Sequence, residues 1–372
     1  MSIETTMTRA WQRQAAWLWL LLPVSWLYGF ITMARRQAYQ VGLFSSYRAP
    51  IPLMVIGNIT VGGSGKTPLI IALVTHLQKQ GIKVGVISRG YGGDSNQMPT
   101  LVHADSLPSI VGDEPCLIVN MTGAAMAVCP NRKQAITTLL NAHPDLQLII
   151  ADDGLQHYAL QRDIEWIVVD ASRGFGNQQL LPTGFLREPM SRLTGANVVY
   201  HEKADRTTKD NKQAKAKRLT MHLQADELQI LWPSAVEIDG LSVAAKTLMP
   251  PIPNGRVHAV SGIGYPQRFF DTLMALGFDV IGHAYPDHYD FSLTELLQYS
   301  ELPIIVTSKD AVKIRALLIN MSSRQPLNDE YQELVHRLWV LPVTAVLSDG
   351  CYVSLQQQLK ALNINLSKST KA

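Results

Sequence analysis

Apolar and polar positions come in short alternating blocks along most of this chain. Uninterrupted apolar runs occur at "PLMVIGN" (Pro52–Asn58), "KVGVISR" (Lys83–Arg89), "AMAVCP" (Ala125–Pro130), "LQLIIADD" (Leu146–Asp153), "EWIVVD" (Glu165–Asp170) and "NVVY" (Asn197–Tyr200). Their length fits strands buried on both faces. Between them the spacing predicts helices over Pro68–Gln80, which Gly81 ends, and over Arg132–Asn141. A second series follows in "RVHAVSGIG" (Arg256–Gly264), "FDVIGHAYPDHY" (Phe278–Tyr289) and "LPIIVTSKDAVKI" (Leu302–Ile314). Strands alternating with helices argue for a mostly parallel sheet covered on both faces. The proline-rich "MPPIPNG" (Met249–Gly255) precedes the second series, so a junction is expected between Thr220 and Gly255. The expected division is an N-terminal membrane-associated helix at 1–35, an α/β domain at 36–225, a smaller α/β domain at 226–350 and a tail at 351–372.

The N-terminus breaks this rhythm. Gln14 to Ala34 contains no charged residue, and Trp11, Trp17, Trp19 and Trp26 are four of the seven tryptophans. A helix of that length could cross a bilayer, and tryptophan favours the headgroup level. The segment lacks a small-residue cleavage site before Arg35-Arg36, so it does not read as a signal peptide. Pro23 and Gly29 interrupt it and both flanks are basic. A helix partly sunk in the bilayer, a true span and a buried core helix all fit the pattern.

Composition narrows the class. At 372 residues, with 47% hydrophobic and 17% charged, the chain is globular and shifted toward apolar. A net charge of +3 gives no argument for nucleic acid. Cys116, Cys129 and Cys351 show neither metal spacing nor an even framework, which fits small apolar packing in a reducing compartment. Lys203 to Arg218 carries seven basic residues against Asp205 and Asp210. It reads as a solvated face or as a segment drawn to an anionic membrane.

The sharpest chemistry lies in "TVGGSGKT", which joins the first strand to the first predicted helix of the sheet. Thr60, Val61, Gly62, Gly63, Ser64, Gly65, Lys66 and Thr67 form a phosphate-loop pattern. Its glycines let backbone N–H groups approach phosphates, Lys66 brings charge and Thr67 a hydroxyl for Mg²⁺. Pro68 is harmless at an early helical position. The usual first glycine of the pattern is replaced by Thr60. Strand-end Asp152-Asp153 and Asp170 are candidates for the metal partner. "VGDEP" (Val111–Pro115), "LPTGFLREP" (Leu181–Pro189) and "YPDHYDF" (Tyr285–Phe291) read individually as polar turns. Together with the loop they suggest acid–base groups on two walls of a cleft. A nucleotide-driven ATPase for assembly or transport, and a soluble kinase for a small sugar or nucleoside, fit the loop equally well.

In order along the chain, "GNITVGGSGKTP", "SRGYGG", "GDEP", "DDGLQH", "LPTGFLREP", "SGIGYPQRF", "PDHYDF" and "TSKDAVKI" resemble the tetraacyldisaccharide 4′-kinase family, the lipid A 4′-kinases of Gram-negative bacteria. The resemblance runs from the N-terminal apolar helix to about Ile314. It implies a P-loop NTPase-like domain with a second smaller α/β domain. It also implies an ATP- and Mg²⁺-dependent kinase acting on a tetraacyldisaccharide 1-phosphate at the cytoplasmic face of the inner membrane, peripheral or monotopic, with no nucleic-acid partner. Carried residue by residue, it implies Lys66 and the Thr60–Thr67 loop on the phosphates, and Thr67, Asp152, Asp153 and Glu188 near metal. Asp113 is implied as general base, His288 as the residue tuning it, and Arg187 as offsetting charge on the transferring group.

Overall fold

The computed structural model describes residues 3–203, 218–232, 249–299, 301–323 and 328–364. The basic segment 203–218 lies outside the described residues except for its two ends. Helix α1 (Ile3–Gln12), a 3₁₀ turn (Ala16–Leu21) and α2 (Leu22–Gln40) come first. The larger sheet then takes β1 (Leu53–Gly57), β2 (Val84–Ser88), β3 (Thr100–Val102), β4 (Ala125–Val128), β5 (Leu148–Asp152), β6 (Ile164–Asp170), β7 (Asn197–His201) and β8 (Leu219–Ala225). Its helices are α3 (Lys66–Lys79), α4 (Pro108–Val111), α5 (Asp113–Thr122) and α6 (Arg132–Ala142). The smaller sheet takes β9 (Gln229–Ile230), β10 (Arg256–Ser261), β11 (Asp279–Ala284), β12 (Ile304–Thr307) and β13 (Leu338–Leu341). With it go α7 (Pro266–Ala275), α8 (Leu293–Leu297), α9 (Ser308–Ser322) and α10 (Asp329–Arg337). The chain closes with β14 (Val343–Leu347) and α11 (Asp349–Ala361).

The larger sheet runs β14-β8-β7-β6-β1-β5-β2-β4-β3, parallel except for its two edge strands. Strand β1 is central and fully buried, between β5 and β6. Sequence neighbours thus diverge to opposite sides at its C-terminal end, where a crevice opens in such sheets. Helix α3 packs on the sheet through Leu69, Ile70, Leu73, Val74 and Leu77, all fully buried. Each large one of these contributes about 1.5–3 kcal/mol of burial. The smaller sheet runs β11-β10-β12-β13-β9, again parallel but for one edge.

The end of the chain departs from expectation. Strand β14 pairs antiparallel with β8 and so returns to the larger sheet, and α11 is a packed helix where a tail was expected from 351. Its Cys351, Leu355 and Leu359 join the larger core. The fully buried Trp166 of β6 donates its indole N–H to Gln358 Oε1 at 3.0 Å. A buried indole needs such a partner, and α11 brings it. All three cysteines are free and buried, as expected.

The N-terminal segment is not a buried core helix. Leu20, Trp26 and Phe30 are 82%, 66% and 63% exposed. Its other face is anchored: Trp11 Nε1 donates to Pro182 O (2.9 Å), Ser25 Oγ to Thr183 Oγ1 (2.8 Å) and Tyr28 OH to Arg187 O (3.1 Å). One side therefore grips the 182–187 loop while the other presents a broad apolar surface.

Candidate active site

The loop between β1 and α3 supplies the first cluster. Gly62 and Gly65 have φ of +91° and +94°, a left-handed conformation that side chains rarely adopt. Thr60 and Leu186 form an isolated bridge, and Val61 N donates to Phe185 O at 2.8 Å. The loop is thus strapped to the segment carrying Arg187. Lys66 opens α3 and donates to Asn58 Oδ1 at 3.0 Å, with Asp153 at 3.4 Å. Arg187 reaches the same two residues, Asp153 Oδ2 at 3.0 Å and Asn58 Oδ1 at 2.6 Å, and also Thr60 O at 3.1 Å.

The paired aspartates after β5 have opposite environments. Burial, then the Glu114 and Asp153 carboxylates, push Asp152 up to about 7. Ser88 Oγ donates to its Oδ2 at 3.2 Å, while its Oδ1 is buried with no hydrogen-bond partner. Burial alone would also raise Asp153, but Lys66 and Arg187 outweigh it and hold that carboxyl well below the usual range. Glu188, expected near metal, is 2% exposed, accepts from Gln156 Nε2 at 2.9 Å and pairs with Arg192 at 3.2 Å. Each of its carboxylate oxygens thus already meets one protein partner. Among the described residues no cluster of three or more His, Cys, Asp or Glu side chains gathers to hold a metal.

The second cluster joins the two lobes. Asp113 was expected in a turn but opens α5 behind Gly112, whose φ is +95°. A Cβ on Gly112 would fall 2.5 Å from Tyr91 O, so only glycine fits there. From the smaller lobe, His288 Nδ1 lies 3.0 Å from both carboxylate oxygens of Asp113. His288 itself has φ +58°, with its N–H donating to Asp287 Oδ1 at 3.0 Å. Burial would raise the Asp113 carboxyl, but the His288 hydrogen bond and the Lys309 and Lys313 charges bring it below its ordinary value. Burial lowers the His288 pKa, and the Asp113 hydrogen bond reverses this to a net rise.

The lobes meet at two further points. A Cβ on Gly264 would lie 2.7 Å from Gly63 N and 3.0 Å from Asp287 Oδ2. Arg268 of α7 pairs with Asp170 and reaches His201 Nδ1 at 3.2 Å, and that nitrogen lies 3.1 Å from Ser64 O. Asp170 therefore serves the lobe contact. The fit at Gly264 is against backbone, which cannot swing away. Gly264→Ala should force the lobes apart at a cost of about 1–3 kcal/mol. The expected outcome is turnover reduced at least about tenfold with the melting temperature of each lobe little changed; normal turnover would show that this contact is dispensable.

Sequence reasoning did not single out Asn58, Lys309, Lys313 or Arg268. The "TSKDAVKI" stretch did hold a signal: lysines at i and i+4 in the first turns of a helix share one face.

This chain matches the family model described as "LpxK: Tetraacyldisaccharide-1-P 4'-kinase" over residues 17–360. It is 74% identical to a protein named tetraacyldisaccharide 4'-kinase from Psychrobacter arcticus, over 99% of this chain and 98% of that protein. A protein of the same name from Psychrobacter cryohalolentis is 72% identical, with 99% of each chain covered. A crystal structure of LpxK from Aquifex aeolicus in complex with ATP aligns with a TM-score of 0.65 at 24% identity, covering 93% of this chain and 99% of that one. At that identity the likeness establishes a shared fold, a mixed α/β architecture with a large parallel sheet.

Proposed function

The chain belongs to the tetraacyldisaccharide-1-P 4′-kinase family, and from that premise we propose how its residues divide the work. The reaction carries the γ-phosphoryl of ATP to the 4′-hydroxyl of a tetraacylated glucosamine disaccharide 1-phosphate, giving lipid IVA. Lys66 and the amides of Thr60–Thr67 hold the β/γ-phosphates, helped by the positive end of α3. Arg187 offsets charge on the transferring group. Asp113 takes the proton of the acceptor hydroxyl and His288 orients it. A carboxylate is a weak base, but a loose phosphoryl-transfer transition state needs that proton removed only late.

Mg²⁺ fits the Thr67 hydroxyl and the Asp152 carboxylate, whose Oδ1 is buried without a hydrogen-bond partner. When bound, the ion neutralises charge on the phosphates. Asp153 adds negative charge beside that pair and holds Lys66 and Arg187 in reach of the phosphates.

One observation carries the kinase reading over an ATPase. His288 and Asp113 come from separate lobes and meet at 3.0 Å, beside a glycine loop that Gly264 of the smaller lobe touches. Water activation alone gives no reason to couple a second lobe to the loop. The division we favour is the N-terminal helix at 1–35, a P-loop NTPase-like lobe at 36–225 that the 343–361 segment completes, and a smaller lobe between. The apolar face of α2 supports a peripheral or monotopic seat on the cytoplasmic face of the inner membrane, where soluble ATP meets an embedded acceptor.

The deciding experiment incubates protein in detergent with ATP, with and without the disaccharide 1-phosphate, and weighs the lipid. The expected product is heavier by one phosphoryl group. ATP turnover indifferent to the lipid would instead support the ATPase.

The apolar face has its own test. Trp26→Glu with Phe30→Glu alters side chains 66% and 63% exposed, so the fold should persist. Co-sedimentation with anionic vesicles should fall and KM for vesicle-embedded acceptor should rise about tenfold or more. Activity on detergent-dispersed acceptor should hold. Unchanged vesicle binding would remove the helix from membrane docking.

A further inference from the structure

Lys309 occupies a place that the reaction as described above does not use. It is the second residue of α9, and its side chain is 13% exposed. Its ammonium donates to Glu114 Oε1 of the larger lobe at 3.1 Å and to Asp287 Oδ1 of the smaller at 3.0 Å. It also lies 3.3 Å from His288 Nε2 and 3.9 Å from Asp113 Oδ2. Burial disfavours that charge, but Glu114, Asp287 and Asp113 outweigh it and hold the amine protonated well above its ordinary value.

A protonated lysine can only donate hydrogen bonds. The imidazole nitrogen that faces it must therefore accept, which places the single ring proton of a neutral His288 on Nδ1. That nitrogen is the one 3.0 Å from both Asp113 oxygens. An imidazolium would instead aim an N–H at the ammonium. We propose that Lys309 is a positioning residue that opposes protonation of His288 at Nε2 and fixes its neutral ring as the Nδ1–H tautomer. This rests on the reading of Asp113 and His288 as the proton-accepting pair, and it sharpens their roles. With Nε2 occupied by Lys309 and Nδ1 already carrying a proton, the hydroxyl proton goes to the Asp113 carboxylate as the 4′-oxygen bonds the γ-phosphorus and the bond from that phosphorus to the bridging oxygen breaks, releasing ADP.

Every charged group near the ring bears on its titration. Asp113 and Glu114 approach from α5, Asp287 from the ring's own loop, and Lys309 and Lys313 from α9. The Tyr91 ring packs against it with centroids 4.8 Å apart. Among these, removal of Lys309 takes away the only cation within hydrogen-bond reach of the ring among the described residues. The protonated ring is then favoured, so the His288 pKa rises. Removing Glu114 leaves the ammonium less neutralised, so the His288 pKa falls. A purely structural role for Lys309 gives no reason for these opposite signs.

The test is ¹⁵N NMR of histidine-labelled protein across pH, beside kcat–pH profiles, for wild type, Lys309→Met, Lys309→Arg and Glu114→Gln. The wild type should show the Nδ1–H signature at His288. In Lys309→Met the His288 pKa should rise by about 1–3 units, the range for a charge within 4–6 Å. The acidic limb of kcat should move up by the same amount with KM for ATP unchanged. Lys309→Arg should restore most of the shift, and Glu114→Gln should move it down. An Nε2–H tautomer in the wild type would overturn the proposal, as would shifts of the same sign in Lys309→Met and Glu114→Gln. An Nδ1–H signature together with near-normal turnover in Asp113→Ala would support the tautomer assignment and refute the base assignment it was built upon.

Discussion

Lys66→Ala should abolish phosphoryl transfer while the protein still folds. Lys66 is the loop's one full positive charge, and it sits at the first turn of α3 with Asn58 and Asp153 as its partners. Removing a charge that stabilises the transferring group costs about 10³-fold or more in turnover. The cost to stability should be small, because Asp153 keeps Arg187 at 3.0 Å. The sign is fixed by Asp153, whose folded pKa is depressed. The stability this contributes is present above the ordinary carboxylate range and is lost as pH falls through the folded value. The variant should thus melt near the wild type at acid pH and slightly below it at neutral pH. Turnover and thermal melts on the same preparation check this. A variant that melts normally and keeps most of its turnover would dismiss the phosphate-loop assignment.

Many of the parallel strands were legible because a strand buried on two faces must be a short apolar run, and β1, β2, β4, β5 and β6 all are, whereas β3, β8, β9 and β13 were not singled out. The phosphate loop was legible because its glycines answer a backbone requirement that few other patterns share. The return of the chain to the larger sheet was not. "VTAVL" carries a strand signal, but nothing in its own residues says whether β8 or β13 is its neighbour. That choice is made by Trp166 and the apolar side of α11, far away in sequence. The surroundings of Glu188 were hidden for a related reason, because only the fold brings Gln156 and Arg192 onto it. Lys309 was passed over because its meaning lies in four partners from two segments distant in sequence. Asp113 and His288 were legible as a pair only through the family resemblance, because nothing in their local residues joins them. Their 175 residues of separation are closed only by two domains packing together.

That pair carries the second large effect. If Asp113 and His288 act as one unit, losing either removes the same proton-transfer function. Asp113→Ala should lower kcat by about 10²–10⁴, the usual range for a positioned base. His288 needs a gentler probe, because its backbone is left-handed at φ +58° and alanine would add strain there. Asparagine tolerates that conformation and cannot supply imidazole. His288→Asn should therefore lose turnover over a similar range with little loss of stability. The double variant should be hardly worse than the poorer single one, since residues acting as a unit are not additive. KM for ATP should change little in all three, because neither side chain is assigned to the nucleotide. If His288 instead only braces the turn through Asp287, whose carboxylate accepts its backbone N–H at 3.0 Å, the two penalties should multiply. The kcat values of the four-member cycle decide between these outcomes. Multiplicative losses break the unit, and a near-normal Asp113→Ala enzyme removes the base.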